Sequence, residues 1–225
     1  MWKEPSLHRD DDFWEQPDVV ARFAARDPDH RLTALVEDLA PGRTLDVGCA
    51  GGRNTIFLAR HGWDVHALDA SAGMVAETRR RLAELVGEEE AAGRVWRGPM
   101  DDLSRLADAS FDLVVGLGIY QNAENLAGWH RALGETARVL KAGGLFLMAH
   151  FTPDVDLTGS GVRPVEGEPH VYDGMPGGRG VLFHAPELEA ALAEHGLLPA
   201  TPSDTVVLPT ERGQRATVNA LLRRT

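Results

Sequence analysis

Apolar positions recur along this 225-residue chain with a period that switches repeatedly between helical and extended. From Phe13 to Ala25, Trp14, Val19, Val20, Phe23 and Ala24 fall at loosely helical spacing, broken by Pro17. A second helix is predicted after Asp27-Pro28, with Leu32, Leu35, Val36 and Leu39 on one face and Pro41-Gly42 as its stop. Short apolar runs follow, and Arg43–Gly48, Trp63–Leu68, Arg94–Arg97, Phe111–Gly116 and Leu145–Phe151 each read as a strand. Between them lie the helical patterns Gly52–His61, closed by Gly62, and one capped by Ser71 with Val75, Leu82, Leu85 and Val86 inward. A third, Glu124–Leu140, carries Leu126, Trp129, Leu133, Ala137 and Leu140 on one stripe, and Lys141-Ala142-Gly143-Gly144 ends it. Gly87-Glu88-Glu89-Glu90 reads as a solvated loop. Such alternation implies an α/β fold, a parallel sheet with crossover helices.

The pattern then lapses. Residues 152–185 hold seven glycines and four prolines with no sustained period, so a long loop with a functional role is expected there. Pro186–His195 reads as a last helix. Thr205–Leu208 and Arg215–Leu222 flank Glu211-Arg212-Gly213-Gln214 and read as a C-terminal antiparallel hairpin.

Composition narrows the function. A formal charge of −11 argues against a nucleic-acid partner, which needs surplus Lys and Arg. No run approaches the roughly 18 apolar residues of a membrane span, and the N-terminus lacks the apolar core of a signal peptide. The single cysteine, Cys49, excludes an internal disulfide and a cysteine-based zinc site, and no histidine pair has helical ligand spacing. A cytoplasmic protein is expected, a monomer or homodimer, without a metal.

The chemistry concentrates in Leu45-Asp46-Val47-Gly48-Cys49-Ala50-Gly51-Gly52-Arg53-Asn54-Thr55, where a strand runs through glycines into a helix. Glycines let a backbone approach a ligand closely, and the helix N-terminus offers free N–H groups. Asp69 follows 17 positions after Gly52, near the spacing at which an acid meets a ribose. An adenosine cofactor is the expectation. The turn does not fit G-x-G-x-x-G in register, and no G-x-x-x-x-G-K-[ST] occurs, so NAD is disfavoured and a P-loop excluded.

Five blocks in order carry a family resemblance: Leu45–Gly52; Ala67-Leu68-Asp69-Ala70-Ser71 with Met74; Gly98–Leu103; Ser110–Val115; and Arg138–Gly144. Together they resemble the class I S-adenosylmethionine-dependent methyltransferases. Gly52-Arg53-Asn54-Thr55 also resembles the tellurite-resistance and thiopurine branches. The resemblance implies a Rossmann-like seven-stranded, mostly parallel sheet with helices on both faces and a C-terminal antiparallel hairpin. It implies a methyltransferase domain at 43–225, with 152–185 as a substrate-side insertion and 1–42 as a helical arm or lid. Gly48, Ala50 and Gly52 would pass under the methionine and ribose of S-adenosylmethionine, with Asp46 and Asn54 beside the turn. Asp69 would accept from both ribose hydroxyls. Ala70, Met74, Met100 and Asp101 would lie near the adenine, and Gly116 and Leu117 beside the sulfonium arm. Two positions depart from the pattern. Ala50 replaces the middle glycine, and Pro99 stands where an aspartate often reads the adenine amino group, a role left to Asp101 or Asp102 or absent.

A small-molecule acceptor with an O, N or chalcogen nucleophile is the leading expectation. Candidate catalytic residues lie just past the strand C-termini: Tyr120, His150, His170 and Tyr172, with Gln121, Asn122, Asp173 and His184 nearby. Trp2 and Trp14 are candidates for a lid. Non-methyl chemistry on the same fold, and a non-catalytic cofactor-binding module, are the competing readings.

Overall fold

A computed structural model describes residues 11–175 and 177–225, with the backbone alone at Asp11 and Asp12. Trp2 and the other calls on residues 1–10 lie outside the described residues. The chain opens with helices α1 (Asp11–Glu15), α2 (Pro17–Ala24) and α3 (His30–Glu37). Pro17 begins α2 because a first-turn residue needs no N–H donor. Asp29 caps α3, its side chain accepting from the Arg31 N–H.

Alternation follows: β1 (Arg43–Val47), α4 (Arg53–Arg60), β2 (Asp64–Asp69), α5 (Ala72–Val86), α6 (Glu88–Arg94), β3 (Val95–Arg97), β4 (Phe111–Leu117), α7 (Leu126–Val139) and β5 (Leu140–Phe151). Three short strands, β6 (Arg163–Pro164), β7 (Val171–Met175) and β8 (Gly178–Val181), precede α8 (Ala185–Ala193). The chain closes with β9 (Leu197–Pro199), β10 (Asp204–Pro209) and β11 (Gln214–Arg224).

The main sheet has the order β10-β11-β5-β4-β1-β2-β3. Strands β1 to β5 are parallel, and β11 pairs antiparallel with both β5 and β10. The seven-stranded expectation holds along this path, and the short β9, paired with β11, adds an eighth strand. Both faces are covered. Leu32 and Val36 of α3, Ile56 and Leu58 of α4 and Leu82 of α5 pack one side against Val65, Leu113, Val115 and Leu147. Trp129 and Leu133 of α7 with Leu188 and Leu192 of α8 pack the other against Leu45, Val114, Phe146 and Met148. All five parallel strands therefore end along one edge, the edge at which open α/β sheets bind ligands.

Two segments read as loops are ordered elements. Residues 152–185 contain a small antiparallel sheet, β6-β7-β8, whose strands of two to five residues are too short to show a period. Val155, Met175, Leu182 and Ala216 form its small core. Glu88, Glu89 and Glu90 form the first turn of α6, where acids oppose the helix dipole favourably. Arg94 closes that helix through Glu90 at 2.6 Å and reaches Asp64 of β2 at 2.9 Å.

Candidate functional site

At the ligand edge the β1–α4 turn is held in place from both flanks. The Gly48 and Cys49 N–H groups both donate to the Leu68 carbonyl, at 2.9 and 3.0 Å, extending the β1–β2 pairing into the turn. Gly48 (φ +71°) and Gly52 (φ +81°) take left-handed backbone that glycine adopts without strain. Ala50 takes it too, at φ +48°, which is unfavourable for a residue with a Cβ. Restoring glycine there should relieve that strain, and the added freedom of the unfolded chain offsets part of the gain. We expect Ala50→Gly to raise the thermal midpoint by about 2–4 °C, a net gain of about 1 kcal/mol. A lowered midpoint would show that the methyl packs usefully.

Asp69, the last residue of β2, is the hub. Its Oδ2 accepts from the Ala50 N–H and its Oδ1 from the Ser71 N–H, both at 2.9 Å. Burial raises its pKa against the lowering effect of these hydrogen bonds. Each carboxylate oxygen keeps a second lone pair for a ligand hydroxyl. Asp46 is fully buried and accepts from Thr55 Oγ1 at 2.7 Å, so it ties the turn to α4. Desolvation pushes its pKa up to about 6. Thr78 of α5 donates to the Ala50 carbonyl at 2.7 Å and completes the frame.

The glycines also admit the chain's own residues. A Cβ on Gly51 would stand 2.6 Å from the backbone of Ala24, so α2 packs directly on the turn. A Cβ on Gly48 would meet Ile119 at 2.7 Å. Arg81 joins the carbonyls of Ala24 and Gly51. One turn away, Glu15 caps α5, accepting from the Ala72 and Gly73 N–H groups at 2.8 Å each, while Ser71 Oγ donates to the Trp14 carbonyl. These hydrogen bonds hold the Glu15 pKa below the usual carboxylate range, the bond from Gly73 most of all. Phe13, Trp14 and Phe23 stack edge to face above them. Glu15, Thr78 and Arg81 were not singled out in the sequence, because the contacts join helices dozens of positions apart.

The remaining expected cofactor residues separate. Ala70 is exposed beside Asp69, and its carbonyl accepts from Arg97. Met74 is buried, its N–H donating to the Ser71 cap. Met100 packs on the α7-side core, and Asp101 pairs with Arg131 at 2.8 Å. Leu117 packs on the α4-side core, and Gly116 lies against the Tyr120 ring. Asn54 is buried and occupied, accepting from the Asp29 N–H at 3.0 Å, so it anchors α3.

Two candidates for acid–base work are corrected by their surroundings. Tyr120, in the single helical turn Tyr120–Asn122, is fully buried, its hydroxyl 2.6 Å from Thr136 Oγ1. Burial raises its pKa, so the phenol stays protonated and faces the core. His150 is fully buried between Trp129 and Phe183 with the Val181 backbone beside its ring, and neither ring nitrogen makes a well-aligned hydrogen bond among the described residues. Desolvation lowers its pKa to about 3, too weak a base to take a proton near neutrality. His170 takes φ +60° and stacks on Phe183 with centroids 4.2 Å apart. Tyr172 is half-buried in β7, and burial raises its pKa. A cleft of about 550 Å³ opens where Asn122 and Asn125 meet Arg163, Asp173 and Arg179 of the small sheet. Its Arg179 is paired with Glu168 at 2.9 Å and with Asp173 at 3.4 Å. No group of metal-ligating side chains is found among the described residues.

An acid closing β2, a glycine turn framed by it and a helix starting from that turn define a nucleotide-cofactor-binding α/β protein. The residues fit an adenosine cofactor, since Asp69 faces the turn with acceptor capacity to spare. Comparison with known proteins names the cofactor. A methyltransferase domain model matches residues 45–148. The ubiquinone biosynthesis O-methyltransferase of Chelativorans sp. (strain BNC1) is 30% identical over 203 residues, covering 88% of this chain and 74% of that protein. The demethylmenaquinone methyltransferase of Beutenbergia cavernae is 37% identical over 114 residues, 50% of this chain but only 42% of its own length. Among solved structures, the 1,6-didemethyltoxoflavin-N1-methyltransferase of Burkholderia thailandensis, with bound S-adenosylhomocysteine, superposes with a TM-score of 0.64 at 21% identity. That match covers 95% of this chain and 81% of the other. The chain belongs to the class I S-adenosylmethionine-dependent methyltransferases, and its cofactor is S-adenosylmethionine.

Proposed function

We propose that this enzyme methylates a small-molecule acceptor at the C-terminal edge of its parallel strands. The observation that carries the reading is enclosure. Helix α2 rests on Gly51 at backbone contact, and β8 of the small sheet packs on the Tyr120–Asn122 turn that follows β4, with Gly180 close against the Gln121 carbonyl. One named relative is a ubiquinone biosynthesis O-methyltransferase and the other a demethylmenaquinone methyltransferase, which favours a compact acceptor.

Bound at this edge, S-adenosylmethionine supplies an electrophilic methyl on a sulfonium. In this reading Asp69 receives the ribose hydroxyls, and Gly48, Ala50 and Gly52 shape the floor of the methionine seat. The helices from α1 to α3 act as the lid, latched by Glu15 on α5, and water exclusion with alignment supplies most of the catalysis. Neither Tyr120 nor His150 serves as a base. His170 and Tyr172 remain the polar groups of the acceptor side. A net charge of −11 supports the absence of a nucleic-acid partner, and no helix among the described residues is long and apolar enough to cross a membrane. We place the enzyme in the cytoplasm as a monomer or homodimer.

Incubation with methyl-labelled S-adenosylmethionine and a metabolite extract should put label into the low-molecular-weight fraction, with S-adenosylhomocysteine formed in equal amount. Label recovered only in protein or RNA would overturn the small-molecule reading.

A further inference from the structure

The segment that follows β4 lies between the glycine turn and the small sheet. Ile119 crosses Gly48, where a Cβ would stand 2.7 Å from its side chain, and the Gly118 N–H donates to the Ala149 carbonyl of β5 at 2.9 Å. Two residues after Ile119, the Gln121 carbonyl lies so near Gly180 of β8 that a Cβ there would be 2.9 Å away. The Gln121 side chain lies toward the end of β4, its Nε2 3.9 Å from where a Cβ on Gly118 would be. Gln121 is only 1% exposed, and its Oε1 has no hydrogen-bond partner among the described residues. Its polar neighbours differ. The Tyr120 hydroxyl is 2.6 Å from Thr136 Oγ1, and Asn125 Oδ1 caps α7, accepting from the Gly128 N–H at 2.9 Å.

A buried amide oxygen without a donor opposes folding, so its presence calls for another use. It does not close its own turn, which the main chain closes from the Asn122 N–H to the Ile119 carbonyl at 2.9 Å and from the Ala123 N–H to the Tyr120 carbonyl at 3.2 Å. We propose that Gln121 Oε1 receives the hydrogen of the attacking nucleophile, which makes the methyl acceptor a hydroxyl or N–H compound and not a thiol or other chalcogen. This rests on the small-molecule reading above. An O–H or N–H is a strong donor and an S–H a weak one, and a site with a buried acceptor discriminates steeply against ligands that leave it unpaired. With its hydrogen held by Gln121, the nucleophile keeps a lone pair for the methyl carbon. That pair forms the new bond, the carbon–sulfur bond breaks with its electrons left on sulfur, and the displaced proton passes to solvent water. The amide orients the nucleophile and takes no proton itself.

The test compares the full wild-type chain with Gln121→Met, an apolar side chain of like length. Removing a buried unpaired amide should raise the thermal midpoint of the ligand-free protein. Calorimetric affinity for S-adenosylhomocysteine should change less than about twofold. With methyl-labelled S-adenosylmethionine and the metabolite extract, label transfer to small molecules should fall about a hundredfold or more in the variant. Mass spectrometry of the wild-type product should place the methyl on oxygen or nitrogen. A lowered midpoint, or a variant that does not fold, would overturn the proposal by making the amide structural. A parallel loss of S-adenosylhomocysteine affinity would also overturn it, assigning the amide to the cofactor, as would a methyl found on sulfur or another chalcogen. Label transfer equal in the two proteins would overturn this assignment alone. No small-molecule label from wild type would overturn the small-molecule reading and this inference with it.

Discussion

Replacing His150 with leucine should make the protein markedly more resistant to acid. The imidazole is fully buried, and desolvation outweighs the nearby Val181 backbone and lowers its pKa to about 3 in the folded state. In the unfolded chain it takes up a proton near its ordinary value of 6.5. The unfolded state therefore binds the proton first as pH drops. Stability is fully present above about 6.5 and is lost progressively toward 3, about 2 kcal/mol by pH 5 and on the order of 5 kcal/mol in all. Asp46 acts in the opposite direction. Its raised pKa, about 6, makes ionisation a penalty in the folded state above that pH, and acid relieves it between about 6 and the ordinary carboxylate value. Comparing wild type with His150→Leu cancels the aspartate and isolates the histidine. Urea unfolding at pH 7 and pH 5 should show the variant losing about 2 kcal/mol less than wild type. Parallel pH profiles would mean that His150 finds a proton partner in solution.

Gly116→Ala should be the most damaging single methyl in the sheet. A Cβ there would stand 2.4 Å from the Tyr120 ring and 3.1 Å from that of Phe146. Tyr120 cannot easily retreat, since its hydroxyl is fixed on Thr136 at 2.6 Å and its ring packs against Phe146 at 5.4 Å. Overpacking of a rigid site should destabilise by about 3 kcal/mol, the upper end for an inserted methyl. Affinity for S-adenosylhomocysteine, measured well below the melting range, should change little. An unaltered melting temperature with lost cofactor affinity would return Gly116 to the cofactor wall.

Much of this architecture is written locally. The glycine turn, the Ser71 cap and Asp69 belong to contiguous strand–turn–helix units, so period and spacing reveal them. The clamp that Asp69 makes on Ala50 joins neighbouring units of one βαβ repeat, and its distance along the chain is short enough to anticipate. Other features depend on pairings that no local pattern encodes. Glu15 finds the start of α5 across 57 positions, and as an exposed acid it gave no signal. The β6-β7-β8 sheet is built of strands too short and too rich in glycine for alternation to emerge. His150 stands next to last in β5, but Trp129 and Phe183 close over it and β11 runs beside it. A strand terminus marks the ligand edge without saying which side chains on it reach the ligand.

We propose that Asp69, at the end of β2, holds the cofactor while it frames the turn. Calorimetric titration of S-adenosylhomocysteine into wild type and Asp69→Ala, with both confirmed folded by circular dichroism, measures this directly. Removing hydrogen bonds to a charged acceptor should weaken binding by about 1–3 kcal/mol. Equal affinity in the two proteins would contradict the claim and move the cofactor away from the glycine turn.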